Sequence, residues 1–163
     1  MEKYTLIVTE KPDAAKRIAQ ALDRNGEAKK SIAKGVPYYQ AYQNGEIVVV
    51  PALGHLYTVG NKAATKRTYP VFEYQWLPKY VVERGESKIR SWIKVISDLA
   101  ENADRFVDAC DFDIEGSIIG YSILKYACGN KEQTAKRMKY STLTKQELTE
   151  SYLLHARLRR KLL

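Results

Sequence analysis

Asp111-Phe-Asp-Ile-Glu115 carries three carboxylates at alternate positions. Alternation along an extended segment predicts Asp111, Asp113 and Glu115 on one side, with Phe112 and Ile114 facing the core on the other. Three carboxylates that close repel one another unless a cation or a proton relieves them. Hard oxygen ligands suit Mg²⁺, which commonly takes one or two carboxylates and keeps its waters for substrate phosphates. A solvated acidic turn at the end of a strand would carry the same letters, so the surrounding elements have to decide.

Tyr4 to Thr9 is β-branched and apolar throughout, which predicts a central strand of a parallel sheet covered on both faces. Pro12 then suits the first turn of a helix, and Ala15, Ile18, Ala19 and Leu22 continue at helical spacing to about residue 23. Residues 25–35 are polar and read as loop. Residues 38–42 and 46–50 flank Asn44-Gly45, a hairpin signal. Residues 51–57 read as an irregular segment, and residues 61–85, with Pro70, Pro78 and several aromatics, as an insertion. From Ser87 a helical stripe runs through Ile89, Trp92, Ile93, Ile96 and Leu99. A strand over 105–110 and a helix from Glu115, with Ile118, Ile119, Ile123 and Tyr126 on one side, frame the carboxylates. A further strand over 135–140 and a capping box at Thr144-Lys-Gln-Glu147, opening a last helix, complete the order.

Strands alternating with helices in this way predict an α/β fold. It has a central, mostly parallel sheet with helices on both faces, a β-hairpin excursion and an aromatic, Pro-rich insertion. The triplet then falls where a strand meets a helix, at the carboxyl edge of the sheet, where open α/β sheets bind ligands. Glu10 falls at the same kind of junction after the first strand, so two acidic strand ends about 100 residues apart converge on one pocket. Lys11 could meet a phosphate oxygen as a point charge. His55, in Gly54-His-Leu56, follows the hairpin toward the same edge, although a lone His is more often structural.

The chain of 163 residues carries 27 Lys+Arg against 19 Asp+Glu, a net charge of +8 that favours anionic partners, nucleic acid first. Lys62, Lys66 and Arg67 form one acid-free basic stretch, and residues 155–163 another. No apolar run approaches the ~20 residues of a membrane span. With Cys110 and Cys128 making no CxxC pair, the composition reads as cytoplasmic with reduced thiols. HExxH, GxSxG, a Walker loop and GxGxxG are all absent, which argues against the corresponding hydrolases, NTPases and dinucleotide enzymes.

A Glu after the first strand, followed by DxDxE leading a helix, resembles the Toprim domain shared by topoisomerases, primases and some nucleases. The flanking segments narrow the resemblance. Thr9-Glu-Lys-Pro-Asp-Ala-Ala-Lys-Arg-Ile-Ala19 looks like the opening of type IA DNA topoisomerases, and Ala52-Leu-Gly-His-Leu56 is similar to their Gly-His-Leu segment. Ala109 to Ser117 resembles their AxDxDxEG signature, and Arg137 to Thr144 their Arg…Ser…Thr segment. Ile114 and Ser117 stand where many bacterial members have Arg and Glu, and with Lys11 they look more like the archaeal topoisomerase I and topoisomerase III-like branch.

The resemblance implies a Toprim domain over residues 1–142, with residues 143–163 starting the helix that leads into the next domain of a larger enzyme. It implies single-strand DNA cleavage and religation, an isomerase activity that changes DNA topology. Glu10 would act as acid and base, and Lys11 would stabilise charge on the scissile phosphate. Asp111, Asp113 and Glu115, together with Glu10, would hold Mg²⁺, while His55 and Arg137 would contact DNA. The partners implied are single-stranded DNA segments and the remaining domains of the same enzyme, without a membrane. The family's tyrosine has no match among the 12 tyrosines here, so the chain alone would be inactive. A stand-alone Toprim nuclease and a basic nucleic-acid-binding module without catalysis are the alternatives.

Overall fold

The computed structural model describes residues 3–61 and 74–160, with side chains through Leu154. The basic side chains of Lys62, Lys66 and Arg67 and those of residues 155–163, as well as Pro70, lie outside the described residues.

The chain runs β1 (Tyr4–Thr9), α1 (Pro12–Leu22), β2 (Lys29–Ala33), β3 (Val36–Tyr42), β4 (Glu46–Pro51), β5 (Tyr57–Asn61), β6 (Tyr74–Pro78), α2 (Lys79–Val82), α3 (Ser87–Glu101), β7 (Ala103–Asp108), α4 (Ile114–Ser122), a π-helical turn (Ile123–Ala127), β8 (Lys136–Arg137) and α5 (Lys145–Arg160). Six strands form one sheet in the order β2-β3-β4-β1-β7-β8, and β5 pairs with β6 apart from it. β1 lies parallel to both β4 and β7, and β7 parallel to β8, whereas β2, β3 and β4 form an antiparallel meander.

The continuous apolar run of β1 is explained by burial on both sides. Leu6 and Val8 pack with Val48, Val50 and Phe106 against Trp92 and Ile96 of α3 and Ile119 and Ile123 beyond. Ile7 points the other way, joining Val49 and Val107 against Ala15, Ile18 and Leu22 of α1 and Leu148 of α5. Period-2 alternation thus builds two cores, one per face, and an α/β fold with helices on both sides of a mostly parallel sheet.

Four local expectations are corrected. The polar stretch 25–35 contains β2, an edge strand pairing Lys29 to Gln40 and Ile32 to Pro37. An edge strand needs neither alternation nor apolar residues, and its lysines protect the open edge. The strand expected over 135–140 is only the two residues of β8, held by pairing Lys136 to Val107 and Arg137 to Asp108. In the helix after Glu115, Ile119 and Ile123 are buried, but Tyr126 is exposed and Leu124 buried in its place. The π-helical turn, closed by the Cys128 N–H donating to the Ile123 carbonyl (3.0 Å), resets the phase of the stripe. Phe112 and Ile114, expected in the core, are 60% and 79% exposed. Their segment is a turn capping a helix rather than a strand, so alternation does not apply.

The hairpin at Asn44-Gly45 forms as read, with Asn44 at φ 55° and Tyr42 facing Glu46. Half of the capping box at Thr144 also forms: its hydroxyl accepts from the Glu147 N–H at 3.4 Å. The Glu147 carboxylate reaches further back, accepting from the N–H groups of Ser141 and Thr142. Cys110 and Cys128 are both buried free thiols. Among the described residues no helix is long and apolar enough to cross a membrane.

Candidate functional site

Parallel register brings three chain exits to one edge. Val8 pairs with both Val50 and Asp108, and Thr9 with Pro51. Glu10, the 52–55 loop and the 109–113 turn therefore leave the sheet side by side. Two further backbone bonds lace the loop to β1: the Ala52 N–H donates to the Thr9 carbonyl (2.7 Å) and the Gly54 N–H to that of Glu10 (3.2 Å). Gly54 takes φ 64°, a left-handed turn that glycine adopts without penalty, and this turn presents His55 beside the carboxylates.

Glu10 follows the strand and precedes Lys11, whose carbonyl accepts from the Thr9 hydroxyl at 3.2 Å. Glu10 Oε2 is buried without a hydrogen-bond partner. Burial pushes the Glu10 carboxyl above the ordinary carboxylate range, and the nearby charges of Asp111 and Asp113 push it further, while Lys11 opposes them. The structure thus brings Glu10, Lys11, Asp111 and Asp113 into one electrostatic neighbourhood.

Asp113 is the N-cap of α4, its Oδ1 accepting from the Gly116 N–H at 2.6 Å. Gly116 sits directly on the backbone of Asp111, where a Cβ would lie 2.1 Å from the Asp111 carbonyl oxygen. The turn can be this tight only with glycine at 116. Glu115 is directed elsewhere: its Oε2 accepts from His55 Nε2 at 2.5 Å. A carboxylate only accepts, so this ring nitrogen carries the proton. Among the described residues no three His, Cys, Asp or Glu side chains gather as a ready-made metal cage.

Arg137 points into the protein. Nη1 donates to Asp108 Oδ2 (2.7 Å), and Nη2 to the carbonyls of Asp111 (2.6 Å) and Cys110 (3.4 Å). The guanidinium therefore ties β8 to the end of β7 and holds the backbone of the first carboxylate in place. Asp108, only 6% exposed, also accepts from the Cys110 N–H at 3.0 Å. Burial raises its carboxyl above the ordinary range, even with Arg137 and the Cys110 amide pulling it down. Tyr140 adds a third clamp, its hydroxyl donating to the Ala109 carbonyl at 2.6 Å.

The sequence places Asp108 at the start of the acidic cluster but assigns it no role. Its signal was an acid ending an apolar strand, Arg105-Phe-Val-Asp108, at a point where a carboxylate has to find a buried partner. Phe112 gains a purpose outside the core: its exposed ring lies under Arg137 (5.5 Å to Cζ) and Lys139 (5.1 Å to Nζ).

Comparison with known proteins agrees with this architecture. Residues 5–143 match the Toprim domain family. The chain is 45% identical over 148 residues to DNA topoisomerase 1 of Pyrococcus horikoshii, covering 90% of this chain and 21% of that protein. It is 44% identical over 149 residues to DNA topoisomerase 1 of Methanocaldococcus jannaschii, covering 90% of this chain and 19% of the relative. DNA topoisomerase 1 of Bacillus anthracis matches at 28% identity over 104 residues, 60% of this chain and 12% of that protein. The chain thus spans about a fifth or less of the length of these relatives. With a parallel sheet that gathers a glutamate and an aspartate pair at its carboxyl edge, and with its sequence matched almost end to end, this chain belongs to the Toprim family.

Proposed function

We propose that this chain is the Mg²⁺-binding Toprim part of a type IA DNA topoisomerase, supplying the acid/base glutamate for cleavage and resealing of one DNA strand. The observation that carries the reading is the Glu10 carboxyl, set beside Asp111 with one oxygen buried and unpartnered. A carboxyl in that setting holds its proton nearer neutrality than a surface glutamate does. A proton held there can be delivered to a leaving 3′ oxygen and taken back on resealing. Lys11, on the next residue, places a cation where charge grows on the scissile phosphate.

The donor set suits Mg²⁺. Glu10, Asp111 and Asp113 are hard oxygen donors leaving one edge, not drawn together into a cage, which suits an ion that keeps its waters and takes phosphate oxygens. Bound there, Mg²⁺ would neutralise charge on the phosphate. Glu115 assists by holding His55 at this edge, where the imidazole would meet the DNA backbone. Arg137 acts as a positioning residue, fixing the Asp111 backbone through the Asp108 pair. The attacking tyrosine comes from a separate domain, toward which α5 leads, and single-stranded DNA is the substrate.

The test incubates the chain with negatively supercoiled plasmid and Mg²⁺, alone and with the remaining domains of the enzyme supplied in trans. Unchanged plasmid alone, and relaxation on addition that is lost with Glu10→Gln, is the expected result. Nicked circles from the chain alone, abolished by Glu10→Gln, would make it a nuclease. DNA binding that is indifferent to Mg²⁺ and to Asp111→Asn with Asp113→Asn would leave only a binding module.

A further inference from the structure

The first turns of α4 carry a second feature that the carboxylate chemistry does not use. Trp76 of β6 faces Tyr121 and Tyr126 across a groove of about 310 Å³ that Ser117, Ile118 and Ser122 complete. Its three aromatic residues are 41%, 49% and 39% exposed and adjoin one another, a contiguous aromatic surface rather than a single scattered ring. Among the described residues no acidic side chain lines it. Lys125 stands at its rim, with Nζ 5.5 Å from the centre of the Tyr121 ring and 5.7 Å from that of Tyr126. Its ammonium also donates to the Tyr121 hydroxyl at 3.3 Å.

We propose that this groove is a base-stacking subsite for single-stranded DNA, holding an unpaired nucleobase next to the phosphate engaged at Glu10 and Asp111. The inference rests on the nucleic-acid reading above and adds to it where the neighbouring base goes. Three lines of argument converge on this occupant. Aromatic faces with a cation at their rim are the combination that binds single strands without reading sequence, the rings taking a base and the cation its phosphate. The chain's net charge of +8, and a cation at the rim with no acid among the described lining residues, suit a polyanion better than a neutral peptide. Position agrees too: Ser117, which lines the groove, donates its hydroxyl to the Asp113 carbonyl at 2.6 Å, so the groove adjoins the carboxylate turn.

The protein carries its own reporter. Of its two tryptophans, Trp92 is buried at 7% exposure and Trp76 lies in the groove, so quenching by a ligand reads Trp76. The 163-residue chain is titrated at low salt with an oligothymidylate of about eight nucleotides and with an abasic oligomer of the same length. The thymidylate is expected to quench the emission and to bind at least about fivefold tighter than the abasic strand, the least that one stacked base contributes. Tyr121→Ala, and Trp76→Ala followed with a labelled strand, should erase that margin. Tyr42→Ala, an exposed tyrosine on β3, should keep it.

Equal binding of both oligomers, unmoved by Tyr121→Ala, would overturn the subsite and leave the nucleic-acid reading standing. Binding of neither would overturn both. A Trp76 emission that shifts with protein concentration and ignores both oligomers would assign the groove to a second copy of the chain and overturn the proposal.

Discussion

Gly120 backs directly onto the carboxylate of Asp108: a Cβ at position 120 would lie 2.3 Å from Oδ2 and 2.5 Å from Oδ1. α4 can therefore approach β7 only where it has no side chain, and that approach seals Asp108 from water so that its partner must be Arg137. Gly120→Ala is expected to force either the helix or the ion pair to move. Overpacking of this kind costs about 1–3 kcal/mol, to be read as a lowered urea midpoint. Gly129→Ala is the wrong control, because Gly129 has φ 76° and would be strained for a different reason. Ile114→Ala, on the exposed start of α4 at 79% exposure, is the right one.

The Asp108–Arg137 pair should behave as a unit. Removing one partner, as in Asp108→Leu or Arg137→Met, leaves a charge that is nearly buried and unpaired, at a cost of about 3–5 kcal/mol. Replacing both at once should recover most of the stability, since an apolar pair of similar volume suits the site. It should not recover the clamp on the Asp111 carbonyl. A double variant that folds as well as the parent but binds Mg²⁺ more weakly would separate positioning from folding, and denaturation alongside metal titration measures both.

Gly116→Ala should report on the turn itself. Its methyl group would collide with the Asp111 carbonyl, the group that Arg137 holds at 2.6 Å. Asp111 then shifts relative to Glu10. Mg²⁺ affinity is expected to fall about 10- to 100-fold, as when supports behind metal ligands are lost. Isothermal titration on the folded variant gives the number, and unchanged affinity would show that the turn tolerates the shift.

Asp23 gives the protein an acid limb. Its carboxylate accepts from the N–H groups of Tyr42 (2.9 Å), Asn25 and Glu27 (both 3.0 Å), joining the end of α1 to β3. The Tyr42 amide is the largest of the influences that hold its pKa below the ordinary value. A depressed folded-state pKa means that the unfolded chain takes up the proton first. The stabilisation is full above the unfolded value, near 3.9, and is lost as pH falls through the folded one. Melting temperatures followed down from about pH 6 should fall less steeply in Asp23→Asn than in the parent.

Local sequence made the central architecture legible because β1, α1 and α3 each bury a face that their period announces. Leu6, Ile7 and Val8 form a run that only a strand covered on both sides can carry, and the two cores around them account for it. The convergence of Glu10 and Asp111 was equally readable, since parallel strands put their carboxyl ends together. What stayed hidden was set by long-range pairing. β2 has no apolar pattern because it is an edge, and it exists because Lys29 to Ala33 can pair with β3. The exposure of Phe112 and Ile114 follows from Asp113 capping a helix, which ends the alternation assumed for the segment. The roles of Asp108 and Arg137 depend on β8 arriving beside β7; a strand near 135–140 is readable in the sequence, but not which strand it pairs with.

β1 occupies the middle of the six-stranded sheet, while Trp76 belongs to a separate two-stranded one. Amides of a strand bonded on both sides and buried on both faces open last, and those of an isolated ribbon open early. In amide exchange, the strand that leads into Glu10 should be among the slowest segments and β5–β6 among the fastest. On the proposed function, one wall of the DNA site would then be a fixed anvil under the phosphate. The other would be a separate two-stranded cheek, free to yield to whichever base arrives.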